Sequence, residues 1–198
     1  MTIANNAIYQ NPVGLVCSLD CYDIVYEHNQ IYNNSGAGIF FSRNTQDSIA
    51  RYNTIYEQPV GIALSESPGN EVHGNEISLV GRGIFLSDPA NRVDGSTINN
   101  RIYNNTIRKS VIAIAVFRTT QNVAIDNYFH NISMSQYRLN ASSTLTIANQ
   151  KFDNTLIVGQ SGDNIVTIAN SSYIQIDDTS SFDTSVPQTI VLSNQTAM

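Results

Sequence analysis

Polar and apolar residues along the first 133 positions alternate in short runs, each closed by a turn rich in Asn, Gly or Ser. The tripeptide Asn-x-Ile recurs at Asn6/Ile8, Asn29/Ile31, Asn53/Ile55, Asn75/Ile77 and Asn105/Ile107, and Asn127/Phe129 forms a sixth copy. Successive Asn residues of this series are 23, 24, 22, 30 and 22 positions apart. A glycine followed by an aliphatic residue comes eight or nine residues after each Asn, at Gly14-Leu15, Gly38-Ile39, Gly61-Ile62 and Gly83-Ile84, with Ala113-Ile114 in the fifth copy. A third apolar segment, carried by Ile24, Ile49, Val72, Ile102 and Val123, precedes each new Asn. Helical repeats would place apolar residues at i, i+3, i+4 and i+7 over ten or more positions, whereas these segments alternate with period two. Three short strands in every repeat of about 23 residues describe one coil of a parallel β-helix. Leucine-rich repeats of similar period need their own Leu and Asn spacing and a helical turn, and the Asp-containing calcium-binding nonapeptide is missing from the chain.

In such a solenoid each strand pairs with its equivalent one coil away, so like positions pile into columns about 4.8 Å apart. Inward columns are expected at Ile8, Ile31, Ile55, Ile77, Ile107 and Phe129, and separately at Leu15, Ile39, Ile62, Ile84 and Ile114. The column Asn6, Asn29, Asn53, Asn75, Asn105 and Asn127 falls at the turn before a strand, where stacked amides can donate to one coil and accept from the other. A buried amide without partners costs about 1–3 kcal/mol, so the ladder has to be continuous. The reading is all-β: a right-handed, single-stranded parallel β-helix of about six regular coils over 1–133, followed by irregular final coils and a C-terminal cap over 134–198. Within that second part Leu145–Ile147, Leu156–Val158, Ile165–Ile168, Tyr173–Ile176 and Thr189–Leu192 still read as strands. Because the repeat is already running at Thr2, the chain is expected to be the C-terminal part of a longer β-helix.

Composition narrows the function classes. Charged residues are 13% of the 198, about half the usual ~25%, which excludes coiled coils and acidic disordered tails. The net charge of −6, with only two lysines, argues against a nucleic-acid partner. No apolar run is long enough for a transmembrane helix, and a monomer is expected. Neither a nucleotide loop nor a metalloprotease helix is present, and His28, His73 and His130 fall at different places in their coils, so no metal or cofactor is expected. Cys17 and Cys21 enclose three residues; a turn could bridge them but an extended strand could not, and they read as small, largely buried thiols. Six Asn-x-Ser/Thr sequons, at Asn33, Asn104, Asn131, Asn140, Asn170 and Asn194, are compatible with an extracellular or periplasmic life.

Counted from each Gly (or Ala113), the second residue gives Val16, Phe40, Ala63, Phe85 and Ala115, which should point outward. The fourth gives Ser18, Ser42, Ser65, Ser87 and Phe117, and the fifth gives Leu19, Arg43, Glu66, Asp88 and Arg118. On the preceding strand, Tyr9, Tyr32 and Tyr56 are followed by Ser78, Arg108 and His130. Sugars bind elongated sites through aromatic faces and through charged or hydroxyl groups, so Phe40, Ser42, Glu66, Phe85 and Asp88 are candidate substrate-binding residues. The structural alternative is that the Ser and Tyr columns satisfy turns and stack, while the charges pair between coils.

The first four coils resemble the catalytic β-helix of periplasmic mannuronan epimerases, which invert carbon five of mannuronate within alginate. Looser similarity extends to carbohydrate-binding and sugar-hydrolase β-helix repeats, including the copper-insertion proteins of nitrous oxide reductase. The stretch Gly38-Ile39-Phe40-Phe41-Ser42-Arg43-Asn44, followed by Asp47, looks like the epimerase segment Gly-Ile-Ile-Ile-Ser-Arg. By that match Arg43 is the catalytic candidate, neutralising a uronate carboxylate so that the proton at carbon five becomes acidic. The preceding coil departs from the family: where epimerases place Asp-Pro-His, supplying the base, this chain has Val16-Cys17-Ser18. The resemblance therefore implies an extracytoplasmic β-helix engaging an acidic polysaccharide, with uronate epimerisation or a related lyase or hydrolase activity as its enzymatic form. The alternatives are a non-catalytic surface or binding module and a protein-partner scaffold like the copper-insertion proteins.

Overall fold

The computed structural model describes residues 1–88, 97–140, 143–152, 156–161, 165–169, 174–177 and 189–193, the backbone alone at 140 and from 152 onward. Every strand pairing in it is parallel, and each joins a strand to its equivalent one coil later, so the chain winds as a three-faced β-helix. Face 1 stacks Thr2–Ala4, Val25–Glu27, Ile49–Arg51, Glu71–His73, Arg101–Tyr103, Asn122–Ile125 and Thr144–Ala148, and continues through Ile165–Ala169 to Thr189–Ser193. Face 2 stacks Ala7–Tyr9, Gln30–Tyr32, Thr106–Arg108, Tyr128–His130 and Lys151–Phe152; face 3 stacks Leu15–Ser18, Ala37–Ser42, Ile112–Phe117, Ser135–Asn140, Leu156–Ser161 and Ile174–Asp177. In the third and fourth coils the corner between faces 2 and 3 is absorbed into single 12-residue strands, Thr54–Ser65 and Glu76–Ser87, which pair on both faces. Where they are described, the sequence-predicted strands after residue 134 lie on these same ladders, Tyr173 falling outside the described residues. The expected C-terminal cap falls largely outside the described residues.

Two inward columns form in the expected register. Ile8, Ile31, Ile55, Ile77, Ile107 and Phe129 are successive partners, as are Leu15, Ile39, Ile62, Ile84 and Ile114. From Ile31 onward the first of these columns is fully buried. The third column differs from expectation. Its inward members are Tyr26, Ala50, Val72, Ile102, Ala124 and Ile147. Ile49 and Val123 stand in the neighbouring, outward column, and Ile24 sits one residue earlier, at the corner. The reason is volume. Tyr26 fills the interior, stacked 5.5 Å from Phe41 with its hydroxyl donating to the Val16 carbonyl, so the next coil accommodates only Ala50. A small inward residue beside a large outward one inverts the apparent pattern.

The Asn column is buried from Asn29 to Asn127. Each side-chain amide donates to Oδ1 of the Asn one coil further on, at 3.0–3.1 Å from Asn6 through Asn105. The backbone N–H of each donates to the same oxygen. A second ladder, Ser48, Asn70, Asn100 and Asn122, fills the corner between faces 3 and 1. A third, Asn11, Asn34 and Gln58, fills the corner between faces 2 and 3 of the first three coils. Glycines at 14, 38, 61 and 83 allow the coils to close up: a Cβ at Gly61 would lie 2.5 Å from the Gly83 carbonyl oxygen of the next coil.

Removing the amide at the centre of the ladder strands Asn29 above it, so Asn53→Ala is expected to lose about 1–3 kcal/mol of stability in urea unfolding. The same change at Asn6, exposed at the ladder's end, is expected to cost less than about 0.5 kcal/mol.

Candidate functional site

The outer side of face 3 carries a concavity because bulky and small residues alternate along one column. Phe40, Ala63, Phe85, Ala115 and Arg138 are successive register partners. Small residues at 63 and 115 leave notches one coil high between the larger neighbours, which stand two coils, about 9.6 Å, apart. The lower notch opens into a groove of about 400 Å³ lined by Arg82, Phe85, Ile112, Ala115, Val116, Phe117 and Arg138. The Arg82 guanidinium lies 4.9 Å above the Phe85 ring and that of Arg118 the same distance above Phe117. Cation–π contact of this kind holds a guanidinium in place while leaving its N–H edges for a ligand.

Charge is sorted between the faces. On face 1 Arg51 pairs with Glu27 at 2.7 Å and Arg101 lies 3.7 Å from Glu71; on face 2 Arg108 lies 3.4 Å from Glu76. Arg43, Arg82, Arg118 and Arg138, all on or at the edge of face 3, have no acidic partner among the described residues. Among the described residues of a chain of net charge −6, the arginines without an acidic partner therefore lie on one side.

The sequence-predicted residues are divided by the structure. Phe40 and Phe85 point outward on face 3, and Phe85 lines the groove. Ser42 continues the column Ser18, Ser42, Ser65, Ser87 and Phe117 beside them but is almost buried. Arg43 sits at the next corner with φ of 48°, exposed, its carbonyl accepting from the N–H groups of Leu19 and Asp20 at 3.1 Å. It lies two coils from the groove and does not line it. Glu66 occupies the corner one coil below Arg43, half-buried.

Asp88 is withdrawn from the surface. It is 2% exposed and accepts from the Thr97 N–H and, at 2.6 Å, from the Thr97 hydroxyl, so it anchors the base of the longest coil instead of facing a ligand. Cys17 and Cys21 are likewise corrected: they form a disulfide, with Cα atoms 6.1 Å apart. Leu19 and Asp20 between them both adopt left-handed backbone conformations, which folds the chain back tightly enough for Cys21 to return to Cys17. Ile112, Phe117 and Arg138 escaped selection as groove residues. Phe117 interrupts the Ser column and Arg138 the apolar one, so only the break in periodicity marked them.

The other columns pack as ladders. Tyr9, Tyr32 and Tyr56 stack with ring centroids 5.1 and 5.0 Å apart. On face 1, His73 stacks 4.6 Å from Tyr103, whose hydroxyl donates to Glu71 at 2.8 Å. Burial, then this hydrogen bond, pushes the Tyr103 phenol up. Burial lowers the His73 imidazole below its ordinary value; Glu71 opposes the shift and Arg51 reinforces it.

Three comparisons with known proteins bear on this arrangement. The family model "Right handed beta helix region" matches residues 1–152. A mannuronan C5-epimerase of Pseudomonas putida is 28% identical over 130 residues, which is 64% of this chain and 20% of the epimerase. A crystal structure of a double mutant of the periplasmic alginate epimerase AlgG superposes with a TM-score of 0.74 at 14% identity, covering 96% of this chain and 50% of that one. The chain thus spans a fifth of the curated relative and half of the solved one.

Because the folded state favours neutral His73, protonation of the unfolded chain near pH 6.5 outruns that of the native one. The His73 contribution to stability is intact above about pH 6.5 and is lost as the pH falls below it. Urea unfolding at pH 7 and pH 5 is expected to show a smaller drop for His73→Gln than for the unsubstituted chain.

Proposed function

The chain belongs to the family of right-handed β-helix regions, and from that premise we propose that face 3 binds an acidic polysaccharide in an extracytoplasmic setting. The observation that carries this reading is that, among the described residues, the arginines without an acidic partner gather beside outward phenylalanines on a single face. Pyranose rings offer an apolar C–H surface to Phe85 and Phe117, while uronate carboxylates offer paired oxygens to the guanidiniums of Arg82 and Arg138. Arg43, two coils nearer the N-terminus, extends the cationic strip and reaches a further sugar of the same chain. The names of both relatives direct the choice of polymer to alginate, and the disulfide favours an oxidising compartment. Neither requires more than one copy of the chain.

Catalysis is a separate matter. Epimerisation needs a positioned base to take the proton from carbon five once the carboxylate has been neutralised. In the coil above Arg43 the corresponding outward places hold Val16 and Ser18, and Cys17 between them is committed to the disulfide. In the coil below they hold Ala63 and Ser65. These neighbours favour a binding face without epimerase chemistry.

Calorimetric titration with polymannuronate tests the reading. Saturable binding that weakens with added salt is expected, and Arg82→Ala with Arg138→Ala together should weaken it by about 30- to 1,000-fold, two charge-assisted contacts of about 1–2 kcal/mol each being lost. Arg101→Ala on face 1 should bind like the unsubstituted chain. Equal loss from face 1 and face 3 changes would overturn the assignment. Incubation with polymannuronate in deuterated water is expected to leave carbon five unlabelled; deuterium there would instead establish the epimerase activity.

A further inference from the structure

Three of the six Asn-x-Ser/Thr sequons have described side chains: Asn33-Asn34-Ser35, Asn104-Asn105-Thr106 and Asn131-Ile132-Ser133. Each begins at a corner of its coil, with Asn exposed and in the left-handed conformation at a φ of 53°. The middle residue turns inward: Asn34 and Asn105 are buried ladder members, and Ile132 packs on the core. The hydroxyl residue then opens outward again, Ser35 and Ser133 exposed and Thr106 half-buried. A corner followed by one inward residue thus leaves both the amide and the hydroxyl on the outer surface.

The repeat keeps such sequons away from the interior. Two places after each Asn of the main ladder stands a member of the inward column, Ile31 after Asn29 or Ile107 after Asn105, where a hydroxyl would be buried in the core. The second ladder follows the same rule, with Val72 after Asn70, Ile102 after Asn100 and Ala124 after Asn122. Asn33 and Asn104 fall one residue ahead of a ladder member, where an added group meets only solvent.

Nothing in the fold calls for asparagine at these corners. Asn tolerates a left-handed backbone better than most residues. Yet the corner between faces 2 and 3 takes that conformation at Gln10, Asn33, Glu57, Leu79, Lys109 and Asn131 alike. Nor does the coil use these amides. Among the described residues the side chains of Asn33, Asn104 and Asn131 make no hydrogen bond, whereas the ladder amides from Asn29 to Asn105 all do. A substituent on the amide nitrogen would leave every bond of the stack in place.

We infer that Asn33, Asn104 and Asn131 are N-glycosylation sites, an inference that rests on the extracytoplasmic setting proposed above but not on the anionic ligand. The co-reactant is an oligosaccharide carried on a polyprenyl pyrophosphate, and a transferase catalyses the step. The Asn amide nitrogen forms a bond to carbon one of the first sugar, the bond from that carbon to the pyrophosphate oxygen breaks, and the amide proton passes to a base of the transferase. Polyprenyl pyrophosphate leaves, and nothing is oxidised or reduced. All three acceptors stand on the two corners that bound face 2, so hydrated glycans flank that face. The left-handed asparagines between faces 3 and 1, Asn44 and Asn99, are followed two places on by Gln46 and Arg101 and stay bare.

The test is mass spectrometry of peptides from the whole chain recovered from the cells that produce it. Glycan mass is expected on Asn33, Asn104 and Asn131, with Asn5, Asn44 and Asn99 unmodified. Asn5 is the matched control, since it is exposed and left-handed but followed two places on by Ala7. Expressed in those cells, Ser35→Ala should lose the glycan at Asn33 completely and keep those at Asn104 and Asn131. Retention of the Asn104 and Asn131 glycans on a chain that still melts like the unsubstituted one shows that the loss reads the hydroxyl and not a folding defect. Peptides of unmodified mass at all three asparagines, or a glycan kept at Asn33 in Ser35→Ala, would overturn the proposal. The same digest reports the cysteines: a Cys17–Cys21 disulfide beside three unmodified asparagines would overturn glycosylation alone, and free thiols beside them would overturn the extracytoplasmic setting with it.

Discussion

Everything in this molecule answers to the contact of each coil with its own successor. Parallel strands one coil apart bring like positions together about every 4.8 Å, so a side chain that is buried must be compatible with a copy of itself directly above and below. Isoleucine satisfies this by packing. Asparagine satisfies it by chemistry, since one side chain carries both a donor and an acceptor and can be satisfied by an identical neighbour. An acid in the same column would meet another acid, and a lysine another lysine. That is why the interior polar positions are Asn29, Asn53, Asn75, Asn105 and Asn127, and why the second ladder starts with a Ser but continues with Asn.

The same contact frees the outer surface. Once interior columns hold the stack, outward residues need only avoid repulsion between neighbours, and they can vary from coil to coil. Faces 1 and 2 use that latitude for cross-coil ion pairs, Glu27 with Arg51 and Glu76 with Arg108, each worth little on an exposed surface. Face 3 uses it differently. Alternation of Phe with Ala along a single column creates relief on an otherwise flat sheet, and arginines without acidic partners among the described residues gather around that relief. A ligand surface on a β-helix is thus a departure from uniformity along a column, superimposed on interior columns that stay uniform.

This division decides what could be read from the chain before its structure. The Ile and Asn columns were legible because the repeat enforces them five or six times over. The third inward column was not, since Ala50 and Ala124 are small beside Tyr26 and Ile102, and the apolar signal moved to the outward Ile49 and Val123. The disulfide was hidden because its geometry depends on left-handed Leu19 and Asp20, a local backbone choice that residue types alone do not reveal. Asp88 was misplaced for a related reason. Its coil is 30 residues long, and Thr97 bonds the Asp88 carboxylate across that extra length, whereas the equivalent residues of shorter coils, Thr45 and Ser67, bond backbone carbonyls. Of the groove, Phe85 was legible as a repeat member, whereas Phe117 and Arg138 broke their columns and so fell outside them.

The likeness to alginate epimerases has to be weighed on the same terms. A TM-score of 0.74 at 14% identity shows a shared β-helix fold, and in this chain the interior columns determine the rise, the corners and the three faces. Chemistry on such a scaffold depends on a few outward side chains in adjacent coils, and replacing them leaves the columns untouched. Beside Arg43 the outward places of the neighbouring coils hold Val16, Ser18, Ala63 and Ser65, while Glu66 stands at the corner one coil below. Those four side chains are uncharged, so the ionisable groups at this end of face 3 sit at the corners. A β-helix fold can therefore be shared without the outward residues on which a particular reaction depends.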